Sequence, residues 1–155
     1  MELAMKIDTG TAVEIGVKVR CNAAGTEHTN IWYNAINHIL TIDMSQSTLR
    51  TDVVYAAEPL ASGRIHDKKN PQKTGTAPLQ PKPDETLDLR IFLDKCMLEV
   101  FANGRQCITQ QIFPTGTDDL VGLCAKGDRA KVLSLDAWDM APAKLVNNKS
   151  GAAGP

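Results

Sequence analysis

The chain has 155 residues, 17 basic and 18 acidic side chains and a formal net charge of -1, with 43% hydrophobic and 23% charged residues. This is the length of one domain able to bury about two-thirds of its unfolded surface, and the composition lies outside the disordered, fibrous and membrane classes. Mixed charge without a basic stripe leaves no means of neutralising phosphates, and no apolar run approaches the ~18 residues of a spanning helix, so neither nucleic acid nor membrane is expected as a partner.

The apolar runs repeat with a period of two, which marks strands. Glu2–Ile7 alternates and stops at Asp8-Thr9-Gly10; Val13, Ile15, Val17 and Val19 then line one face of a half-buried strand over 13–21. Asn22–Gly25 is a turn. Thr29–Tyr33, with Ile31 and Tyr33 in phase, and His38–Asp43 follow, joined by a link short enough for a hairpin. Over about 56–85 the pattern disappears and Pro59, Pro71, Pro78, Pro81 and Pro83 accumulate around the charged run 66–69, so this segment is expected to be one long loop.

Beyond the loop, Leu87, Leu89, Ile91 and Leu93 alternate with Asp88, Arg90, Phe92 and Asp94, and a second strand runs over 96–102. Asn103-Gly104 supplies the two positive φ angles of a type I′ turn, predicting a hairpin onto a strand over 105–113. Strands over 120–125 and 130–138 bracket Lys126-Gly127-Asp128. The pattern argues for an all-β fold with few or no helices, a two-sheet β-sandwich or a barrel. Residues 1–142 would form this domain and residues 143–155 a flexible tail.

Chemistry-bearing motifs are scarce. Cys21, Cys96, Cys107 and Cys124 are too widely spaced for a CxxC pair and are expected as free thiols at strand positions. His28, His38 and His66 are too scattered for metal-ligand spacing, and no phosphate loop, nucleophile elbow or HExxH is present. No cofactor or metal is expected. Met1–Ile7 carries no signal-peptide pattern, yet a signal on an upstream segment would be equally compatible, so the compartment stays open.

The stretch 89–104, Leu-Arg-Ile-Phe-Leu-Asp-Lys-Cys-Met-Leu-Glu-Val-Phe-Ala-Asn-Gly, resembles the signature of the C-terminal sandwich of glycoside hydrolase family 32, which includes invertases, inulinases and levanases. Residues 14–20, 41–45 and 133–140 resemble the same module in the same order, with Met44 where an arginine is common. The resemblance implies a fold, an all-β two-sheet antiparallel β-sandwich of the concanavalin or lectin-like jelly-roll type, and a partner. In this family catalysis belongs to an N-terminal five-bladed propeller with Asp-Pro-Asn-Gly, Arg-Asp-Pro and Glu-Cys motifs. None of the three occurs in this chain. The resemblance therefore implies a non-catalytic C-terminal module of a β-fructosidase acting on sucrose or fructans, inactive alone, that stabilises or completes the propeller. A carbohydrate-binding module for fructans and an assembly domain that forms a homo-oligomer are the alternatives.

Three groups of residues are candidates for function. Asp94 and Glu99 form a carboxylate pair, read as solvated hairpin residues rather than an acid and a nucleophile. Arg90, Phe92, Glu99 and Phe101 would share the face opposite Leu89, Ile91, Leu98 and Val100 if the hairpin pairs without a bulge, either as part of a covered sheet or as a docking face for the propeller. Trp32, Tyr33 and Trp138 are candidates for stacking on sugar rings, with a place in the core or at its rim as the plainer reading.

Overall fold

The computed structural model describes residues 1–53, 55 and 73–141, and among these the secondary structure is ten strands with no helix. They are β1 (Glu2–Asp8), β2 (Glu14–Cys21), β3 (Thr29–Asn34), β4 (Ile39–Asp43), β5 (Thr74–Pro78), β6 (Leu87–Asp94), β7 (Met97–Ala102), β8 (Gln106–Gln111), β9 (Leu120–Lys126) and β10 (Lys131–Trp138). Sheet A has the order β10-β1-β6-β7-β8 and sheet B the order β5-β4-β3-β2-β9. Every pairing is antiparallel.

The two-residue period is what closes the sandwich. Leu3, Met5, Ile7, Leu89, Ile91, Leu98 and Val100 of sheet A face Ile15, Val17, Val19, Ile31, Leu40 and Ile42 of sheet B, all buried. Each such side chain contributes about 1.5–3 kcal/mol on leaving water.

Two sequence expectations need correction. Of the loop expected over 56–85, Thr74–Pro78 forms β5, an edge strand paired with β4, and Leu79 beyond it is buried. Its sequence, Thr-Gly-Thr-Ala-Pro, lacks apolar alternation, and Pro78 is tolerated at the end of an edge strand, where the ladder does not need its missing N–H. Residues 56–72 of that loop and the tail 143–155 lie outside the described residues. Cys96 occupies the turn before β7 rather than the strand, beside Lys95 at φ 52°.

The Asn103-Gly104 turn forms as expected, with φ angles of 51° and 60° and the Arg105 N–H donating to the Ala102 carbonyl at 3.1 Å. Asn103 does more than turn the chain. Its Oδ1 accepts from the Asp88 N–H at 3.0 Å and its Nδ2 donates to the Thr86 carbonyl at 2.9 Å, tying the hairpin to the start of β6. Next to it, Arg105 donates to both carboxylate oxygens of Glu85 at 2.6 and 2.8 Å, and the Lys82 N–H adds a third bond at 2.8 Å. The guanidinium, followed by that N–H, holds the Glu85 carboxyl far below the usual carboxylate range.

The chain crosses between sheets twice on one flank, from β1 to β2 and from β9 to β10, and the two crossings touch. Thr11 N–H donates to the Arg129 carbonyl at 3.1 Å and Val13 N–H to the Lys126 carbonyl at 2.8 Å. Gly127, at φ 93°, sits where a Cβ would fall 2.6 Å from the Val13 side chain; Gly104 has nothing within 4 Å of that position.

Two predictions follow from these contacts. Gly104→Val should cost about 1 kcal/mol or more through backbone strain alone, and Gly127→Val should cost more because it adds a steric clash; equal denaturant midpoints for the two variants would contradict this. Glu85→Gln should lower the unfolding midpoint at pH 7. Because the folded carboxyl titrates below its unfolded value of about 4.3, the stabilisation is complete above that value and disappears as pH falls below it, so the gap between wild type and variant should narrow below about pH 4. A gap independent of pH would assign the effect to something other than this carboxylate.

Candidate functional site

The β6–β7 hairpin pairs without a bulge, with Arg90 opposite Phe101 and Phe92 opposite Glu99. Leu89, Ile91, Leu98 and Val100 are fully buried, which puts Arg90, Phe92, Glu99 and Phe101 together on the outer face of sheet A. The Phe92 and Phe101 rings meet edge to face, 5.8 Å between centroids. The Arg90 guanidinium lies 5.6 Å from the Phe92 centroid and its Nε donates to Glu2 Oε1 at 2.6 Å. Ring and cation are thus held in place before any partner arrives, at an exposed site where such a cation–π contact is worth about 0.5–1 kcal/mol. Register continues the face outward, Glu2 lying between Phe92 and Trp138 across β6, β1 and β10.

A second apolar surface lies around the corner. Leu123 of β9 pairs with Val17, and Leu135 of β10 pairs with Met5, so both point toward the core. Yet Leu123 is 51% exposed against 0% for Val17, and Leu135 is 42% exposed against 1% for Met5. Val132, opposite Ile7, is exposed in the same way. The core is open along this flank. A cleft of about 170 Å³ runs between the two edge strands, lined by Ile7, Ile15, Leu123, Ala125, Ala130 and Val132. The sequence carried one signal of it: Leu120-Val121 and Val132-Leu133 are adjacent apolar pairs that break the alternation of strands with one wet face.

The three aromatic candidates do not share a surface. Tyr33 belongs to the core, 3% exposed, with its hydroxyl 2.9 Å from His38 Nδ1, so its ring offers no face to a sugar; the phase it shares with buried Ile31 explains why. Trp138, 47% exposed, stands on the outer face of sheet A at the edge strand β10. Trp32 is on the outer face of sheet B, opposite Gly16, and the Lys126 ammonium sits 4.3 Å from its ring centroid while pairing with Glu14 at 2.8 Å.

Asp94 and Glu99 are diagonal neighbours on the open face of sheet A, a cross-strand arrangement with no second wall to enclose a substrate. All four cysteines are free thiols, and burial pushes those of Cys21 and Cys124 up. Among the described residues no group of three or more His, Cys, Asp or Glu is placed to hold a metal ion, and His66 lies outside them.

Residues 1–139 match the family described as Glycosyl hydrolases family 32 C terminal. A levanase of Bacillus subtilis is 34% identical over 156 residues, covering 94% of this chain and 20% of its own length. A β-fructofuranosidase, insoluble isoenzyme 7, of Oryza sativa is 25% identical, covering 90% and 23%. The chain thus spans about a fifth of the length of these relatives. Among solved structures, the exo-inulinase of Aspergillus awamori superposes with a TM-score of 0.65 at 22% identity, over 84% of this chain and 24% of that one, a likeness of fold. With the family matched over nearly the whole chain and the same two-sheet fold in a solved relative, this protein belongs to the C-terminal domain family of the family 32 glycosyl hydrolases.

Proposed function

We propose that the chain is a non-catalytic module of a fructosidase acting on sucrose or fructans, and that it stabilises or completes a catalytic propeller. The observation that carries this reading is the distribution of exposed apolar side chains. Leu120, Val121 and Leu123 of β9, with Val132, Leu133, Leu135 and Trp138 of β10, gather most of the large exposed hydrophobics of the described residues onto the two consecutive edge strands that flank the open cleft. Exposed apolar patches of this kind mark interaction surfaces, and a catalytic domain of the same family is the covering partner that family membership favours. The Phe92, Phe101 and Arg90 platform extends that surface onto sheet A.

Two further points support it. The levanase and β-fructofuranosidase relatives are some four to five times longer than the matched region, which leaves room for a separate catalytic unit. The propeller motifs that carry nucleophile, transition-state stabiliser and acid in the resembled family are missing from this sequence. A retaining glycosidase needs two carboxyl groups about 5–5.5 Å apart on opposite sides of the scissile bond, whereas Asp94 and Glu99 are diagonal neighbours on one open sheet face.

The purified chain should release no reducing sugar from sucrose, inulin or levan above buffer background, and it should co-elute with a family 32 catalytic propeller supplied as a separate domain. Leu135→Asp and Phe101→Asp should weaken that association at least tenfold, since each places a charge in an apolar contact. Turnover that disappears in Asp94→Asn or Glu99→Gln would overturn the non-catalytic reading. Self-association on sedimentation that Leu135→Asp abolishes, with no binding to the propeller, would replace docking by homo-oligomer assembly.

A further inference from the structure

The outer face of sheet B differs in chemistry from that of sheet A. Its rungs read Thr76, Thr41, Trp32, Gly16 and Cys124, then Asp43, Asn30, Lys18 and Gly122: polar groups surrounding one indole. Gly16 makes this possible. A Cβ there would fall 2.7 Å from the Trp32 Cα, so only a glycine lets β3 approach so closely, and its missing side chain leaves the sheet surface bare beside the tryptophan. The resulting pocket of about 180 Å³ is lined by Glu14, Lys18, Asn30, Trp32, Gln46 and Lys126 among others.

Asn30 is the informative residue. It is 8% exposed and lines this pocket, and its Oδ1 is buried without a hydrogen-bond partner among the described residues. A buried carbonyl left unpaired is destabilising; it is closed to solvent in the free protein, and a small turn of the Asn30 side chain would present it to the pocket as an acceptor. Around it stand further groups of both kinds: Lys18 and Lys126 donate, the Glu14 carboxylate accepts, and the Gln46 amide does both. The aromatic ring supplies an apolar wall.

From this geometry we infer that the Trp32 pocket is a binding site for one neutral sugar unit of a saccharide, whose hydroxyls complete Asn30 Oδ1 and bridge to Glu14 and Lys18 while its C–H face lies on the indole. A sugar ring matches the pocket because it carries both an apolar face and hydroxyls that donate and accept. In the free protein the Lys126 ammonium covers part of the indole, but its side chain is 62% exposed. Cation–π contacts and ion pairs at exposed sites are weak, so the lysine can swing to the rim when a ring enters. The site opens on the sheet opposite the Phe92 and Phe101 platform but shares β9 with the proposed docking flank through Cys124, Ala125 and Lys126, so its test uses the chain alone.

The test uses the full 155-residue chain carrying Trp138→Phe, which leaves Trp32 as the one indole reporter. Kestose, maltotriose and inorganic phosphate are titrated while tryptophan fluorescence is followed. The expected result is a saturable change with at least one of the two sugars, half-complete at about 1–10 mM. Asn30→Ala should weaken it at least tenfold while leaving the unfolding midpoint unchanged or raised, since the variant removes an unpaired buried carbonyl. Glu14→Gln, at the rim, should weaken it several-fold and serves as the second variant. No saturable change with either sugar, a change that survives Asn30→Ala undiminished, or saturation by phosphate alone would each overturn the assignment.

Discussion

The contact between the two sheet-to-sheet crossings organises this domain. Where Thr11 and Val13 hydrogen-bond to Arg129 and Lys126, the β1–β2 connection is locked against the β9–β10 connection, backbone to backbone. Gly10 and Gly127 permit the approach, both at positive φ and both with a neighbouring chain where a Cβ would stand. The locked crossing sets β10 beside β1 and β9 beside β2. It therefore puts the last strand of each sheet on the same flank, while β5 and β8 meet on the other.

That placement decides where the core stops. On the β5 and β8 side, Ile108 and Ile112 are buried. On the β9 and β10 side, inward-pointing Leu123, Val132 and Leu135 are left half in water. Unpaired edge strands with exposed apolar side chains invite pairing with other chains, and natural sheets commonly blunt them with charge, bulges or cover. Here each edge ladder carries a register shift, at Lys6/Ile7 and at Lys18/Cys21, and Arg20 at the second one reaches across to the Lys95 carbonyl of the other sheet at 3.2 Å. These features twist and tie the edges. They do not cover the leucines, which is why a docked domain is the economical account of the flank.

Much of this was legible from residue pattern. The alternation of Leu87–Leu93 and Val13–Val19 reads directly as buried and exposed faces, and Asn103-Gly104 reads as its turn, because each depends on local geometry. That Arg90, Phe92, Glu99 and Phe101 share one face was legible for the same reason, since it follows once the hairpin register holds. β5 was not legible, since Thr-Gly-Thr-Ala-Pro becomes a strand through its pairing with β4 rather than through any propensity of its own. The open flank and the Trp32 pocket were legible only in part, through the apolar pairs Leu120-Val121 and Val132-Leu133 and through Trp32 itself. Their geometry depends on which strands become neighbours, and the exposure of Leu123 or the unpaired Asn30 carbonyl has no counterpart in the local sequence.

On the proposed reading, the β9 and β10 flank is covered by a catalytic domain. Amide hydrogen exchange tests this directly, comparing the chain alone with the chain joined to a family 32 propeller domain. If the flank is the docking surface, amides of Leu120–Lys126 and Lys131–Trp138 should slow by about tenfold or more in the joined protein, while those of Thr74–Ala77 on the far flank stay as they are. Unchanged exchange across β9 and β10, with or without slowing elsewhere, would contradict the account.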